Sequence, residues 1–164
     1  MMADTLDDWS KKLGQMLADR SWRIAVAESC TGGLLGSSIT DTPGSSAYFA
    51  GGVIAYSNDV KTGVLCVSEQ LISLHGAVSE PVASEMAAGC RRLLGTDVAI
   101  ATTGVAGPGG GTASKPVGFV CVAVAVGSDV SVHSFQWSGT RIENKQATVL
   151  AALRFATDVI GDGS

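Results

Sequence analysis

The stretch Glu28-Ser29-Cys30-Thr31-Gly32-Gly33 places a serine where an apolar run gives way to a helical pattern. A serine at such a junction can present its hydroxyl to a pocket while helix-start amides point at developing negative charge. Ser29 or Thr31 could equally serve only as a helix N-cap. A serine nucleophile needs a base, and Lys61 is the candidate. With Asn58 as N-cap, Lys61 falls at the third helical position, where the backbone carries partial positive charge. That field opposes an ammonium and favours a neutral amine able to take a proton. A solvated surface lysine is the plain alternative. Tyr56, just upstream, can hydrogen-bond either group or be an ordinary strand aromatic. Cys30 is a rival nucleophile. A catalytic cysteine usually works with a histidine, and neither His75 nor His133 has a site-like context, so Cys30 reads as packing.

Two further segments could complete a pocket. Residues 103–111 (Thr-Gly-Val-Ala-Gly-Pro-Gly-Gly-Gly) form a loop whose glycines let backbone amides line an anion or a ligand edge. It lacks the Gly-Lys-Ser/Thr of a P-loop and the G-x-G-x-x-G spacing, and a mobile surface loop is the alternative. Arg141 follows Ser138-Gly139-Thr140 and opens the last helix, where it could hold a phosphate or carboxylate or simply face water. Lys145, one turn on, could assist.

The elements that must position these residues can be read from periodicity. Apolar Leu6, Trp9, Leu13, Met16 and Leu17 predict a helix over 5–20. A strand is expected over 23–27, a helix over 34–40, a turn over 42–46, a strand over 52–56 and a short helix over 59–65. Ser79, with Pro81 behind it, caps a helix running to Leu94 and stopping at Gly95. A strand over 97–102 then feeds the loop 103–115. Two strands, 116–126 and 130–137, are close enough to pair as a hairpin through 127–129, and a helix over 141–160 follows. Strands alternating with helices predict one three-layer α/β/α domain over residues 1–164, with a mixed sheet that includes one hairpin. Sites in such sheets lie at the carboxyl ends of strands. Ser29, residues 56–61 and residues 102–111 all fall there.

The composition narrows the class. Hydrophobic residues make up 46% and charged residues 16%, enough apolar material for a core and too little charge for disorder. The net charge is −4 with no basic cluster beyond Arg91-Arg92, which argues against nucleic acid as a partner. The four cysteines form no C-x-x-C pair, and two histidines complete no zinc spacing. Met1-Met2-Ala3-Asp4 leads into an acidic amphipathic stretch and not a leader peptide, and no apolar run is long enough for a membrane span. A cytoplasmic, reducing location with no membrane partner is the expectation.

Taken together, A-E-S-C-T-G-G (27–33), G-S-S (44–46), Y-S-N-D-V-K (56–61), H-G-A-V-S-E-P (75–81), T-G-V-A-G-P-G-G (103–110), K-P-V-G (115–118) and S-G-T-R (138–141) resemble the CinA carboxy-terminal family of nicotinamide-nucleotide amidases. The seven matches lie in the family's order and cover nearly the whole chain. The resemblance implies a Ser/Lys amidohydrolase that converts nicotinamide mononucleotide to nicotinic acid mononucleotide and ammonia, with no metal and no cofactor. It implies Ser29 as nucleophile, Lys61 as base and Tyr56 as helper. It also implies a substrate pocket drawn from Cys30, Thr31, Gly32 and Asn58, from the Ser45-Ser46 turn, from Thr103, Gly104 and Gly107, and from Arg141. The family often has S-G-D-R where this chain has Thr140, so any task of that carboxylate is open. The family tends to self-associate, which implies a homo-oligomer. Many relatives carry an additional amino-terminal domain, for which this chain has no room. A silent nucleotide-holding module and an amidase of another small amide remain the alternatives.

Overall fold

A computed structural model of the chain describes residues 4–163. Met1, Met2 and Ala3, read above as leading into no leader peptide, lie outside the described residues. The helices are α1 (Leu6–Arg20), α2 (Leu34–Thr40), α3 (Asn58–Gly63), α4 (Glu69–His75), α5 (Glu80–Leu94) and α6 (Arg141–Asp162). The strands are β1 (Ile24–Glu28), β2 (Phe49–Ile54), β3 (Val98–Gly104), β4 (Phe119–Val126) and β5 (Asp129–Gln136). They form a single sheet in the order β2-β1-β3-β4-β5. β2, β1 and β3 run parallel, while β4 and β5 are antiparallel additions joined as the expected hairpin.

The period-2 alternation of the strands sorts side chains by size onto the two faces. Ile24, Val26, Val98, Ile100, Val122 and Val124 pack against Leu13 and Leu17 of α1, Leu35 and Ile39 of α2, and Val149, Leu153 and Ile160 of α6. Ala25, Ala27, Ala99, Ala101, Cys121, Ala123 and Ala125 face the other way, against Val82, Ala83, Met86 and Cys90 of α5. Small residues on that face let α5 approach closely. On α5 itself, Gly89 meets the segment after α3, where a Cβ would lie 2.0 Å from the Leu65 carbonyl oxygen. The result is the three-layer α/β fold with a mixed sheet.

Local chemistry fixes the helix ends. Thr5 caps α1 in a reciprocal capping box with Asp8, and Thr140 caps α6 in the same way with Glu143. Ser79 caps α5, Pro81 occupies its first turn, and Gly95 ends it in the left-handed conformation that glycine adopts without strain. Three expectations need correction. β2 starts earlier than expected, at Phe49, and contains Gly51 and Gly52; at Gly52 a Cβ would sit 2.5 Å from Val26, so close strand approach demands a glycine there. α4 escaped the periodicity reading because it has seven residues and buries none of them. The N-cap of α3 is Ser57, whose hydroxyl accepts from the Val60 amide, and not Asn58.

Candidate active site

The parallel strands end level with one another: Glu28 of β1 pairs with Ile54 of β2 and with Thr102 of β3. The turns that leave those ends open a cleft of about 230 Å³. Ser29 and Cys30 enter it from β1, Tyr56, Asn58 and Lys61 from the β2–α3 segment, and Thr103 and Gly104 from β3. Arg141 reaches in from the start of α6, and Ala77 and Val78 close the side before α5. A larger groove of about 410 Å³ runs between β5 and α6, lined by His133, Phe135, Trp137 and Phe155; neither a serine nor a lysine lines it.

At the bottom of the cleft the Lys61 Nζ lies 3.0 Å from the Ser29 Oγ, 2.8 Å from the Ala55 carbonyl oxygen and 3.1 Å from the Tyr56 carbonyl oxygen. Lys61 is only 1% exposed and no carboxylate pairs with it among the described residues. Burial therefore pushes its pKa below the ordinary 10.5, because an ammonium loses more than an amine when water is removed. The helix field expected from the sequence acts in the same direction. In the structure Lys61 is the fourth residue after the Ser57 cap, and desolvation is the leading cause. In the neutral amine, two N–H bonds satisfy the two carbonyls and the lone pair faces the serine hydroxyl.

Ser29 is not the cap of α2. The cap position is Gly33, and the helix-start amides are claimed by the carboxylate of Glu28. Glu28 Oε1 accepts from Gly33 N at 3.2 Å and Leu35 N at 2.8 Å, and Oε2 accepts from Gly36 N at 2.9 Å. These amides are thus already engaged, which corrects the expectation that they face developing charge on a substrate. Glu28 went unnoticed in the sequence because its partners form only once α2 has folded back on it. Its signal was an acidic residue beside the serine of the first motif.

The remaining expected residues divide clearly. Thr31 is fully buried below the cleft, its hydroxyl donating to Glu28 Oε1 at 2.6 Å and paired with the Thr102 hydroxyl at 2.8 Å. Gly32 shapes the turn at φ 59°, its amide donating to the Ser29 carbonyl. Thr103 fastens β3 to the segment before α5 by donating to the Ala77 carbonyl at 2.9 Å. Arg141 donates to the Gly107 carbonyl at 2.6 Å and to the Tyr56 hydroxyl at 3.2 Å, strapping the cleft mouth. The Tyr56 phenol accordingly meets Arg141; what Tyr56 offers Lys61 is its backbone carbonyl. Cys30 lines the cleft as a buried thiol, with burial pushing its pKa up to about 12, so it is no thiolate at neutral pH.

Ser45 and Ser46 do not reach this cleft. They sit in a 3-10 turn just before β2, and the adjoining Tyr48 carbonyl accepts from the amide of Ile24, the first residue of β1. The five residues of β1 separate that end from Ser29, about 16 Å of strand at the usual rise. Thr140, which stands where the family often has aspartate, performs the capping that an aspartate would perform equally well.

Comparison with known proteins agrees with this architecture. The CinA C-terminal domain family matches residues 6–160. A CinA-like protein of Chlorobium limicola is 54% identical over 149 residues, covering 88% of this chain and 35% of the relative. A putative competence-damage inducible protein of Halothermothrix orenii is 48% identical over 145 residues, covering 88% and 35% respectively. The chain thus spans about a third of the length of the curated relatives it matches. Among solved structures, a competence-damaged protein (CinA) superfamily protein from Enterobacter cloacae superposes with a TM-score of 0.94 at 31% identity, covering 98% of this chain and 95% of the other. The competence/damage inducible protein CihA from Agrobacterium tumefaciens gives 0.90 at 35% identity, with 94% of each chain covered. With a family match over nearly its whole length and the same fold in solved relatives, the chain belongs to the CinA C-terminal domain family.

Proposed function

We propose that this chain hydrolyses the carboxamide of nicotinamide mononucleotide, releasing ammonia and nicotinic acid mononucleotide. The observation that carries the reading is the buried Lys61 amine held by two backbone carbonyls with Ser29 as its third neighbour. A binding module has no use for a desolvated lysine aimed at a serine, whereas an acyl-transfer enzyme does.

Neutral Lys61 takes the Ser29 hydroxyl proton as the oxygen bonds to the carboxamide carbon. The carbonyl electrons move onto oxygen. The Cys30 amide, next to the nucleophile, donates to no backbone carbonyl among the described residues, faces its own thiol, and is the proposed oxyanion donor. When the tetrahedral intermediate collapses, the C–N bond breaks and Lys61 returns its proton to the departing ammonia. Water then gives a proton to Lys61 and attacks the ester. The acid leaves and Ser29 recovers its proton. Arg141 is the proposed holder of the 5′-phosphate, since its charge is neutralised by no carboxylate among the described residues. Lys145 is a second candidate, its Nζ standing 3.8 Å from where a Cβ on Gly32 would be. Self-association and a cytoplasmic location belong to the same proposal. The four cysteines are all free thiols, and no described helix is long and apolar enough to cross a membrane.

The test pairs calorimetry with an ammonia assay on the purified chain and nicotinamide mononucleotide. Binding accompanied by stoichiometric ammonia and acid is expected. Binding without turnover would reject the enzymatic reading in favour of a nucleotide-holding module, and turnover of other small amides alone would reject the substrate.

A further inference from the structure

Glu28 is buried to 1% exposure, and no cation pairs with it among the described residues. Its carboxylate spans the turn that carries Ser29: it takes the Thr31 hydroxyl inside the turn and the Gly33, Leu35 and Gly36 amides beyond it. Its backbone works on the other half of the dyad. The Glu28 carbonyl accepts from the Ala55 amide at 2.8 Å, and the Ala55 carbonyl in turn accepts from Lys61. A third link runs through β3. Thr102 accepts the Ser29 amide at 3.0 Å, while its hydroxyl pairs with that of Thr31. Since Thr31 donates to the carboxylate, its oxygen accepts from Thr102.

We infer that Glu28 is the positioning residue of the Ser29–Lys61 pair: its carboxylate sets the serine turn against α2, and its carbonyl sets the peptide that holds the lysine. This rests on the Ser/Lys reading above. A glutamine fits the space but cannot do the work. It has one acceptor oxygen, so its NH2 must face either the Gly36 amide or the three donors on the opposite side, and the turn has to shift. Donors surround the carboxylate, and a Cβ on Gly36 would stand in van der Waals contact with Glu28 Oε2, at 3.4 Å. A displacement of the nucleophile by a fraction of its bond reach slows the chemical step without weakening substrate contacts made elsewhere in the cleft.

The experiment compares wild type with Glu28→Gln and Thr31→Val by steady-state ammonia release and by the rate at which phenylmethylsulfonyl fluoride labels Ser29, in which the serine oxygen displaces fluoride from sulfur. Both are run below the melting transition of each variant. For Glu28→Gln, kcat and the labelling rate are expected to fall together by about 10- to 100-fold with KM unchanged. Thr31→Val should move the same way by a smaller factor, and it decides the matter by the same two readouts if Glu28→Gln does not fold. A purely structural role would lower the melting temperature and leave kcat and labelling per folded molecule as in wild type, which overturns the inference. If wild type labels at Ser29 yet frees no ammonia, the substrate assignment falls while the labelling ratio still decides the role of Glu28. If wild type does not label, both fall.

Discussion

Ser29 and Ser45 are both 8% exposed, both lie in glycine-flanked turns, and both adjoin the β1–β2 pair of strands. They differ in which end of the strands they occupy. At the carboxyl end, the chain leaving β2 turns into α3 and brings Lys61 beneath Ser29. At the amino end, the turn around Ser45 is closed by its own backbone, the Ser45 amide donating to Thr42 and its carbonyl accepting from Tyr48. No lysine or histidine hydrogen-bonds to Ser45 among the described residues. Equal burial and a place in a turn beside the same strands thus give one serine a base and leave the other as part of a turn. What separates them is the parallel topology, which gathers the loops following three strands at one edge.

The comparison can be broken most sharply at the carboxyl end. Ser29→Ala and Lys61→Met should each lower kcat for ammonia release by at least about 100-fold, as expected when a nucleophile or base is lost. Steady-state assays on folded protein check this, and near-wild-type turnover in either variant would erase the distinction between the two serines. The pH dependence should follow the lysine. Protonated Lys61 cannot accept the serine proton, so activity is low in acid and rises as pH passes through a pKa below 10.5. A kcat/KM profile checks the position of that rise.

Smaller effects are expected further from the dyad. Arg141→Gln should raise KM for the mononucleotide by about tenfold while largely sparing kcat, because it removes a charge-assisted contact to a remote phosphate. The same variant should matter little for the nucleoside lacking the phosphate. Cys30→Ala should stay within about threefold of wild type, since a thiol pushed up to about 12 contributes no nucleophile. Ser45→Ala and Ser46→Ala should leave turnover unchanged within about twofold, the usual scale for substitutions remote from the chemistry. Loss of activity in the Ser45 variant would show that the amino end contributes to the site after all.

How much was legible in advance follows from how local each determinant is. The helix and strand order could be read because it rests on side-chain period and on caps such as Thr5, Ser79 and Gly95, all within a few residues of what they govern. Ser29, Lys61, Thr103 and Arg141 can be singled out because each lies within about one turn of a strand end or a helix start. The start of β2 is hidden by Gly51-Gly52: Gly52 answers the approach of Val26 from another strand, and Gly51 adopts a φ of 141°. The roles of Glu28 and of the Tyr56 carbonyl were hidden for the same reason, since their partners meet only in the folded chain. Motif resemblance alone implies that the Ser45-Ser46 turn lines the pocket, and the direction of β2 places that turn at the opposite end of the strands.

Catalysis by the pair turns on burial pushing the Lys61 pKa down beside Ser29, which favours the neutral amine. The direct measurement is an NMR titration of the Lys61 Cε, assigned by comparison with Lys61→Met. A midpoint below 10.5 is expected. A midpoint at or above 10.5 would contradict it, because an ammonium at working pH has no lone pair to offer the serine.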